Sequence, residues 1–279
     1  MLVTGGAGLL GSALLATAPA DVAVHATWRR SFVTGPTAHQ VELSDAAAVG
    51  DLMDRVRPRV VVHTAYGKDD GERDIVAASR VVAAAAAAAG AGLVHLSSDV
   101  VFDGEHAPYA EADAPAPVSQ YGHWKHTAER EVMRLLPRAA VVRTSLLLAP
   151  LRPDPTTAWI AEAIRAGHGV DLFVDELRCP MSAEDLATQL WQLAGLPAAE
   201  RAGVWHLVGP ETVSRYTLGV LLATHLGLPT GGIRAAHSAQ RHADAEPRPR
   251  DLRLTTARAD ALSHRARPIS EVLADATPR

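Results

Sequence analysis

Hydrophobic and polar positions alternate in blocks along the first half of the chain. Short runs rich in valine, leucine and threonine are separated by longer, alanine-rich stretches with helical periodicity. Runs that are apolar at consecutive positions predict strands covered on both faces, and helices between them indicate parallel pairing. We predict strands at Leu2–Thr4, Val22–Thr27, Arg59–Thr64, Leu93–Ser97 and Ala139–Thr144, with helices near residues 9–17, 45–56, 72–89 and 119–136.

The pattern becomes less regular after Pro150. Here we predict helices near residues 156–166, 183–194 and 214–226, and strands near 170–174 and 203–208. The fold class that follows is α/β, with a doubly wound parallel sheet in residues 1–150. Residues 151–279 form mainly a smaller C-terminal lobe, and whether part of 200–210 returns to the first domain stays open.

Composition and charge narrow the classes of protein. The 279 residues are 48% hydrophobic, which is enough for a sizeable core, and the net charge of −4 provides no overall basic field for nucleic acid. The arginine-rich stretch 241–267 is either a local basic patch or a solvated surface segment. A single cysteine, Cys179, excludes an intrachain disulfide and fits a reducing compartment. Without a basic leader or an apolar run of about 18 residues, we expect a cytoplasmic protein with no membrane partner.

A glycine-rich loop joins the first strand to the first helix. The segment Thr4–Gly11 reads TGGAGLLG, and it places Gly5, Gly8 and Gly11 around Leu9 and Leu10. Gly5 permits a tight turn, Gly8 lets backbone N–H groups approach a pyrophosphate, and Gly11 lets the helix pack on the strand. Because the N-terminus of a helix attracts anions, this loop predicts a dinucleotide-binding site. Residues 1–150 are therefore predicted to form a Rossmann-type domain that binds NAD(P), and residues 151–279 mainly a substrate-binding lobe.

Two arginines follow the second strand, at the position where an NAD-specific site offers a carboxylate to the ribose. Arg29 and Arg30 are guanidinium groups that bind a 2′-phosphate. We therefore expect NADPH as the cofactor, with NADH as an alternative if both arginines are surface charges.

Tyr121 and Lys125 are four residues apart on a predicted helix, so both side chains face one side. The ammonium is expected to lower the pKa of the phenol towards the range of an acid catalyst. Ser97, Ser98 and Asp99 end the fourth predicted strand, where ligands of parallel sheets bind. A hydroxyl there can hydrogen-bond a substrate carbonyl. Asp99 either orients Ser98 or caps a turn, and Asp103 has the same alternatives.

Other residues invite different interpretations. None of the thirteen histidines falls in a metal-binding pattern, so we expect no metal site. We interpret Trp159, Trp191 and Trp205 as packing residues.

Three segments together resemble the extended short-chain dehydrogenases/reductases. They are Gly5–Gly11, the stretch LSSDVVFDG at 96–104, and the YGHWK at 121–125. Within that superfamily the chain is most similar to the dTDP-4-dehydrorhamnose reductase family, and the similarity extends to Val142–Thr144, Cys179–Pro180, Asp185–Ala187, Gly203–Leu207 and Arg248–Pro249. It therefore covers nearly the whole chain.

The resemblance implies a role for each matching residue. Ser98 would hydrogen-bond the carbonyl, Tyr121 would act as general acid, and Lys125 would hold the nicotinamide ribose. The implied substrate is a ketone on a nucleotide-activated deoxysugar. The oligomeric state stays open, with a homodimer as one possibility. The wider set of implied ligand contacts comprises Thr64, Ala65 and Ser97 for the cofactor, and Asp99, Val101, Phe102, Arg143 and Arg248 for the substrate; surface ion pairing is the alternative for the two arginines.

Three departures from the family pattern bear on the substrate. Ile75 stands where the family has asparagine, His63–Gly67 replaces an alanine-rich turn, and Ser145–Leu148 replaces an aromatic segment. Two other functions therefore stay open. One is a sugar-nucleotide epimerase that retains NAD, and the other is a regulatory subunit that binds a dinucleotide without turnover.

Overall fold

The computed structural model describes residues 1–33, 37–67, 69–149, 157–240 and 246–276. Within these ranges the strands β1 to β13 are Leu2–Thr4, His25–Trp28, Ala38–Gln40, Val60–His63, Gly92–Leu96, Ala140–Arg143, Leu147–Leu148, Val170–Phe173, Leu177–Arg178, Met181–Ser182, Gly203–His206, Val213–Ser214 and Ile233–Ala236. The helices α1 to α9 are Leu9–Ala16, Ala46–Val56, Ala78–Ala88, Gln120–Leu135, Ala158–Arg165, Ala183–Gly195, Ala198–Arg201, Arg215–His225 and Ile269–Asp275. A π-helical segment, Glu72–Ala77, leads directly into α3.

Seven strands form one parallel sheet in the order β11-β6-β5-β4-β1-β2-β3. The chain builds outwards from β1 through β2 to β3, returns to β4, and then builds outwards in the other direction. Ligands of such sheets bind beyond the carboxyl ends of the strands, where the strand order reverses. The predicted fold class, a doubly wound parallel sheet, is confirmed, and the reversal lies between β1 and β4.

The central strands are apolar on both faces because each face is covered by helices. Val62, Val94 and Val142 face one side and pack in a core with residues of α1 and α6. Val61 and its neighbours Leu93 and Val141 face the other side, where α2, α3 and α4 supply the apolar residues. The two faces alternate residue by residue, as the period of a strand requires.

The second half both completes the sheet and builds the lobe. Strand β11 pairs with β6 at one edge of the sheet, and α6 lies against α1. The remaining short strands form three separate pairs, β7 with β10, β9 with β12, and β8 with β13. Helices α5 and α8 pack around β8 and β13 to form the core of the lobe.

Most predicted elements of the sheet domain lie where expected. The second strand begins at His25 instead of Val22, and β3 and the two-residue strands were not predicted. Trp191 and Trp205 are buried, but Trp159 is 44% exposed, so its interpretation as a packing residue was wrong. No helix among the described residues is long and apolar enough to cross a membrane.

The arginine-rich stretch 241–267 is mostly engaged within the molecule, although residues 241–245 lie outside the described ranges. Ion pairs join Arg248 to Glu176, Arg250 to Glu105 and Arg253 to Asp251. Arg258 donates to two backbone carbonyls and lies 4.0 Å above the Trp205 ring. These contacts favour a structural role for the stretch over a basic patch.

Candidate active site

The glycine loop after β1 has the geometry its sequence requires. Gly5 has a φ of +71°, and a Cβ there would lie 2.8 Å from the Cα of Ala65. A Cβ at Gly11 would lie 2.1 Å from the Gly5 carbonyl oxygen. Both positions therefore need glycine: one for the turn and its close approach to the loop after β4, the other for packing α1 on that turn.

Gly8 is different because the protein itself leaves room beside it. A Cβ at Gly8 would meet only the Gly5 carbonyl, at 3.2 Å, and the residue is exposed. Gly8 is the N-cap of α1, and no side chain caps the helix and no acidic residue lies in its first turn. The backbone N–H groups near Leu9 and Leu10 are thus available to an anion.

The loop after β4 lies directly against the glycine loop. Thr4 holds the two together, because its hydroxyl accepts hydrogen bonds from the backbone N–H groups of Thr64 and Ala65. The Thr64 hydroxyl donates to the Thr4 carbonyl at 2.6 Å. The Thr4 hydroxyl also lies 2.7 Å from Nδ1 of the buried His63. The predicted cofactor contacts Thr64 and Ala65 therefore line the same end of the sheet as Gly5.

The two arginines after β2 differ in their surroundings. Arg29 makes a bidentate pair with Asp74, at 2.6 and 2.8 Å, and also approaches Glu42 at 3.4 Å. Arg30 has a 69% exposed side chain, 3.8 Å from the exposed Asp69. Only Arg30 of the pair is therefore open to an anionic ligand in this arrangement.

Tyr121 and Lys125 face the same side of α4, in the first and second turns. The Lys125 ammonium lies 5.9 Å from the Tyr121 ring centroid and donates to the Leu96 carbonyl at 3.0 Å. Tyr66, from the loop after β4, covers them both. Its ring is 6.2 Å from that of Tyr121 and 5.4 Å from the ammonium.

The protonation of this pair differs from the prediction. Burial raises the pKa of Tyr121, and the neighbouring Tyr66 and Asp99 raise it further. Burial lowers the pKa of Lys125 to about 8, although the Glu129 carboxylate opposes this change. The expectation that Lys125 lowers the pKa of Tyr121 is therefore wrong for this arrangement, since desolvation outweighs attraction. Tyr121 is a protonated phenol, the form that an acid catalyst needs.

Ser98 and Asp99 follow β5 and lie beside the start of α4. Gly122 lets the helix approach, because a Cβ there would lie 2.4 Å from the Val100 carbonyl oxygen. Ser98 donates to one Asp99 carboxylate oxygen at 3.1 Å, and Ser145 donates to the other at 2.6 Å. Asp99 thus orients Ser98, one of its two predicted roles. Ser97 is buried and its hydroxyl lacks a hydrogen-bond partner among the described residues.

Three expected substrate contacts need correction. Val101 and Phe102 have no exposed surface, because they form a core cluster with Tyr109, whose ring stacks on Phe102 at 4.2 Å. Arg143 is 3% exposed and pairs with buried Glu129 at 2.9 and 3.1 Å. The structure therefore favours the ion-pair alternative for Arg143, inside the protein and not at its surface.

Asp103 caps a turn. Its carboxylate accepts from the Glu105 backbone N–H at 2.9 Å and from the Tyr109 hydroxyl. The Tyr109 hydroxyl in turn accepts from the Gly104 N–H at 2.8 Å. Of the two roles considered for Asp103, the structure shows the structural one.

Arg248 belongs to a cluster of three arginines that the lobe assembles. Its guanidinium lies 3.4 Å from the buried carboxylate of Glu176. Arg178 is buried, and burial lowers its pKa while Asp99 and Glu176 oppose the change. Burial also lowers the pKa of Arg215 to about 10, with Arg248 and Arg178 acting in the same direction. Asp251 is a third acidic neighbour of Arg178, whose guanidinium also donates to the backbone carbonyls of Leu177, Pro249 and Arg250. Arg215 and Arg248 are therefore the better candidates of the three for binding an anionic ligand.

Several of these residues were not predicted as site residues. Tyr66 and Ser145 were noted only as departures from a family pattern, and Arg178 and Arg215 were not considered. A weak signal existed for Arg178, which immediately precedes the Cys179–Pro180 segment that resembles the family. Ile75 lies in the core at 1% exposed. No cluster of three potential metal ligands occurs among the described residues.

Comparisons with known proteins show the family of the chain. The family model described as RmlD substrate binding domain matches residues 1–277. The dTDP-4-keto-6-deoxy-D-glucose reductase of Streptomyces niveus is 31% identical over 263 residues, 89% of this chain and 86% of its own. Methionine adenosyltransferase 2 subunit beta of Pongo abelii is 30% identical over 250 residues, 84% of this chain and 74% of its own.

Solved structures share the fold. The dTDP-4-dehydrorhamnose reductase of Bacillus anthracis, solved with NADP, superposes with a TM-score of 0.84 over 98% of this chain and 96% of its own, at 19% identity. The resemblance seen in the sequence motifs is confirmed: the chain belongs to the RmlD substrate-binding-domain family.

Proposed function

We propose that this protein reduces a ketone on a nucleotide-activated deoxysugar with NADPH, with Tyr121 as the general acid. The observation that carries the proposal is that two groups of residues lie together at one end of the sheet. Ser98, Tyr121 and Lys125 form a carbonyl-reducing set, and the glycine loop after β1 offers a phosphate site beside them. The Streptomyces niveus relative is named for the same class of reaction.

The residues present fit a dinucleotide. The open space at Gly8, the uncapped start of α1 and the absence of an acid in its first turn suit a pyrophosphate. Thr64, Ala65 and Lys125 lie at the same end of the sheet as this loop and would hold the rest of the cofactor. When bound, NADPH supplies the hydride.

The chemistry of the protein groups follows from their protonation states. Tyr121 donates a hydrogen bond to the carbonyl oxygen, which becomes an alkoxide as the carbon is reduced. Ser98 has a single hydroxyl proton, which Asp99 accepts in this structure, so Ser98 donates to the carbonyl oxygen only after this proton turns from Asp99 to the substrate. Tyr121 then gives its proton to the alkoxide, and the phenolate left behind is stabilised by the Lys125 ammonium.

The arginine cluster of the lobe supports a substrate that carries phosphate. Arg178, Arg215 and Arg248 surround Glu176 near the Asp99 side of the site. Guanidinium groups bind phosphate oxygens in pairs, so a diphosphate fits this cluster better than a neutral sugar does.

A phenylalanine variant tests the proposal. Tyr121→Phe removes the acid while keeping the ring, and we expect the rate of NADPH oxidation with dTDP-4-keto-6-deoxyglucose to fall by at least about a hundredfold. NADPH affinity, measured by fluorescence titration, is expected to change little. Tyr216→Phe is the matched control, because Tyr216 packs in the core of the lobe. An unaltered rate in Tyr121→Phe would contradict the proposed role.

A second candidate function has support from one comparison. Relatives named methionine adenosyltransferase 2 subunit beta match at 30% identity, which favours a dinucleotide-binding subunit of a larger assembly. Against it stands the complete set of Ser98, Tyr121 and Lys125, which binding alone does not require. A subunit without turnover would bind NADPH equally well in the wild type and in Tyr121→Phe, and would oxidise none. An epimerase would copurify with NAD and consume none.

A cytoplasmic location stays a prediction from the sequence, and the choice between a monomer and a homodimer stays open. Gel filtration against a dilution series distinguishes the two oligomeric states.

A further inference from the structure

An ion cluster connects the end of β2 to the π-helical segment before α3. Asp74, in the π-helical segment before α3, accepts hydrogen bonds from both terminal nitrogens of Arg29, at 2.6 and 2.8 Å. Arg73 Nε adds a contact to the same carboxylate at 2.7 Å. Glu42 lies 3.4 Å from Arg29. The four charges sum to zero.

The Asp74 carboxylate is built into the protein. Its side chain is 3% exposed, and a Cβ on Gly67 would lie 2.3 Å from its Oδ2. The loop after β4 therefore closes over the carboxylate only because residue 67 is glycine. Arg29 and Arg73 hold the pKa of Asp74 well below its usual range, so it is ionised whenever the protein is folded.

This pairing decides what Arg29 can offer a ligand. A guanidinium binds a phosphate most strongly through two parallel N–H groups. In Arg29 the two terminal nitrogens already serve Asp74, so that edge is closed to a 2′-phosphate. Arg30 is exposed, and its acidic neighbour among the described residues, Asp69, is itself exposed and lies 3.8 Å away.

We infer that Asp74 sets the coenzyme preference by withholding Arg29 from the 2′-phosphate, which leaves Arg30 as the only arginine of the pair that distinguishes NADPH from NADH. Asp74 is then a positioning residue for coenzyme selection, and the wild type accepts both coenzymes with a modest preference for NADPH. The inference rests on the dinucleotide binding proposed above.

Coenzyme titrations of single variants test the inference. Asp74→Asn keeps the shape of the side chain and removes the charge that holds Arg29. We expect NADPH to bind about tenfold more tightly, with NADH affinity unchanged within about twofold, because a freed guanidinium adds a charge-assisted contact to the phosphate alone. The salt dependence of NADPH binding should steepen as well.

Arg30→Gln supplies a second measurement that does not depend on how Asp74→Asn folds, since the Arg30 side chain lies on the surface. We expect NADPH affinity to fall about tenfold and NADH affinity to stay unchanged. Asp51→Asn and Arg80→Gln, both exposed on other helices, are charge-matched controls that should leave both affinities unchanged.

The outcomes separate this inference from the proposed function. An unchanged ratio of NADPH to NADH affinity in either Asp74→Asn or Arg30→Gln, with the variant folded and coenzyme binding intact, would overturn the inference alone. Failure of the wild type to bind either coenzyme would overturn the proposed function and the inference with it. Tighter binding of NADPH but not of NADH by Asp74→Asn, together with weaker binding of NADPH by Arg30→Gln, supports the inference.

Discussion

Lys125 is one of two lysines in a chain that otherwise uses arginine for its positive charges. Arginine stays charged in any protein environment, whereas a buried lysine can release its proton. Lys125 is 4% exposed, and the neighbouring His63 and His95 are neutral because burial lowers the pKa of both. The ammonium at this position therefore combines a proposed role in catalysis with a cost to stability.

Replacing Lys125 by methionine should stabilise the fold and abolish reduction. Burial lowers the pKa of Lys125 from 10.5 to about 8. Below pH 8 the buried ammonium therefore costs stability, and Lys125→Met is expected to raise the free energy of unfolding by about 2 kcal/mol at pH 7. Denaturant titrations measure this difference.

The same pKa shift predicts a pH dependence. Between pH 8 and 10.5 the unfolded wild type binds a proton at Lys125 that the folded state has released. The unfolding free energy of the wild type should therefore rise with pH in this window relative to Lys125→Met, and the advantage of the variant should shrink. An advantage that stays constant to pH 10.5 would contradict the assigned shift.

At the scale of residues, the sequence predicted which side chains of one helix lie together, but it did not predict ion pairs between residues far apart in the chain. The positions of Tyr121 and Lys125 on one helical face follow from a spacing of four. The partners of Arg29 and Arg143 could not be predicted, because Asp74 and Glu129 reach them from other elements. The pKa of Tyr121 was misjudged for the same reason: burial depends on what the rest of the chain places around it.

Helix α4 carries Tyr121, the proposed general acid, and the position of this helix depends on Gly122. A Cβ at this residue would lie 2.4 Å from the Val100 carbonyl oxygen and 2.9 Å from Pro117. Neither neighbour is the end of a flexible side chain. The close approach of the helix to the turn after β5 is what brings Tyr121 near Asp99, the residue that follows Ser98.

Gly122→Ala is therefore expected to displace the start of α4. We expect a loss of about 2 kcal/mol in unfolding free energy and a fall in kcat of at least about tenfold, with little change in NADPH affinity. Gly50→Ala in α2 is the matched control, because nothing lies within 4 Å of the added Cβ. It should stabilise the protein by about 0.5 to 1 kcal/mol. Equal effects of the two substitutions would refute the packing argument.

Elements with strong periodicity were predictable and short ones were not. The long helices α2, α4 and α6 and the buried central strands carry clear apolar patterns in the sequence. Strand β3 and the two-residue strands are too short to show a period, so only their partners define them. The π-helical segment that presents Asp74 was predicted as part of a helix, but its altered winding has no simple sequence signal.

At the scale of the whole molecule, the two halves share one core. Leu186 and Leu190 of α6 pack with Val62 and Val94 on the face that α1 also covers. The C-terminal segment is tied back to α6, where His264 lies 2.7 Å from Asp185. The sheet domain predicted for residues 1–150 therefore does not include α6, one of the helices that cover the apolar face of its sheet.

A chain that ends at Ala149 should fail to fold cooperatively. We expect it to bind the dye ANS and to show no sharp calorimetric transition, because one face of the sheet and the edge of β6 are left bare. The full chain should unfold in a single transition. A chain that ends at Ala276 serves as the control and should behave like the full chain. Cooperative unfolding of the fragment would show that the sheet domain is independent.

The pairing of β11 with β6 has a consequence for biosynthesis. About sixty residues separate these strands in the chain. At roughly 5 to 20 residues per second, the ribosome needs several seconds to extend the chain from one strand to the other. During that interval the nascent protein exposes an unpaired strand edge and an apolar sheet face, and it depends on the ribosome surface or on chaperones to stay apart from its neighbours.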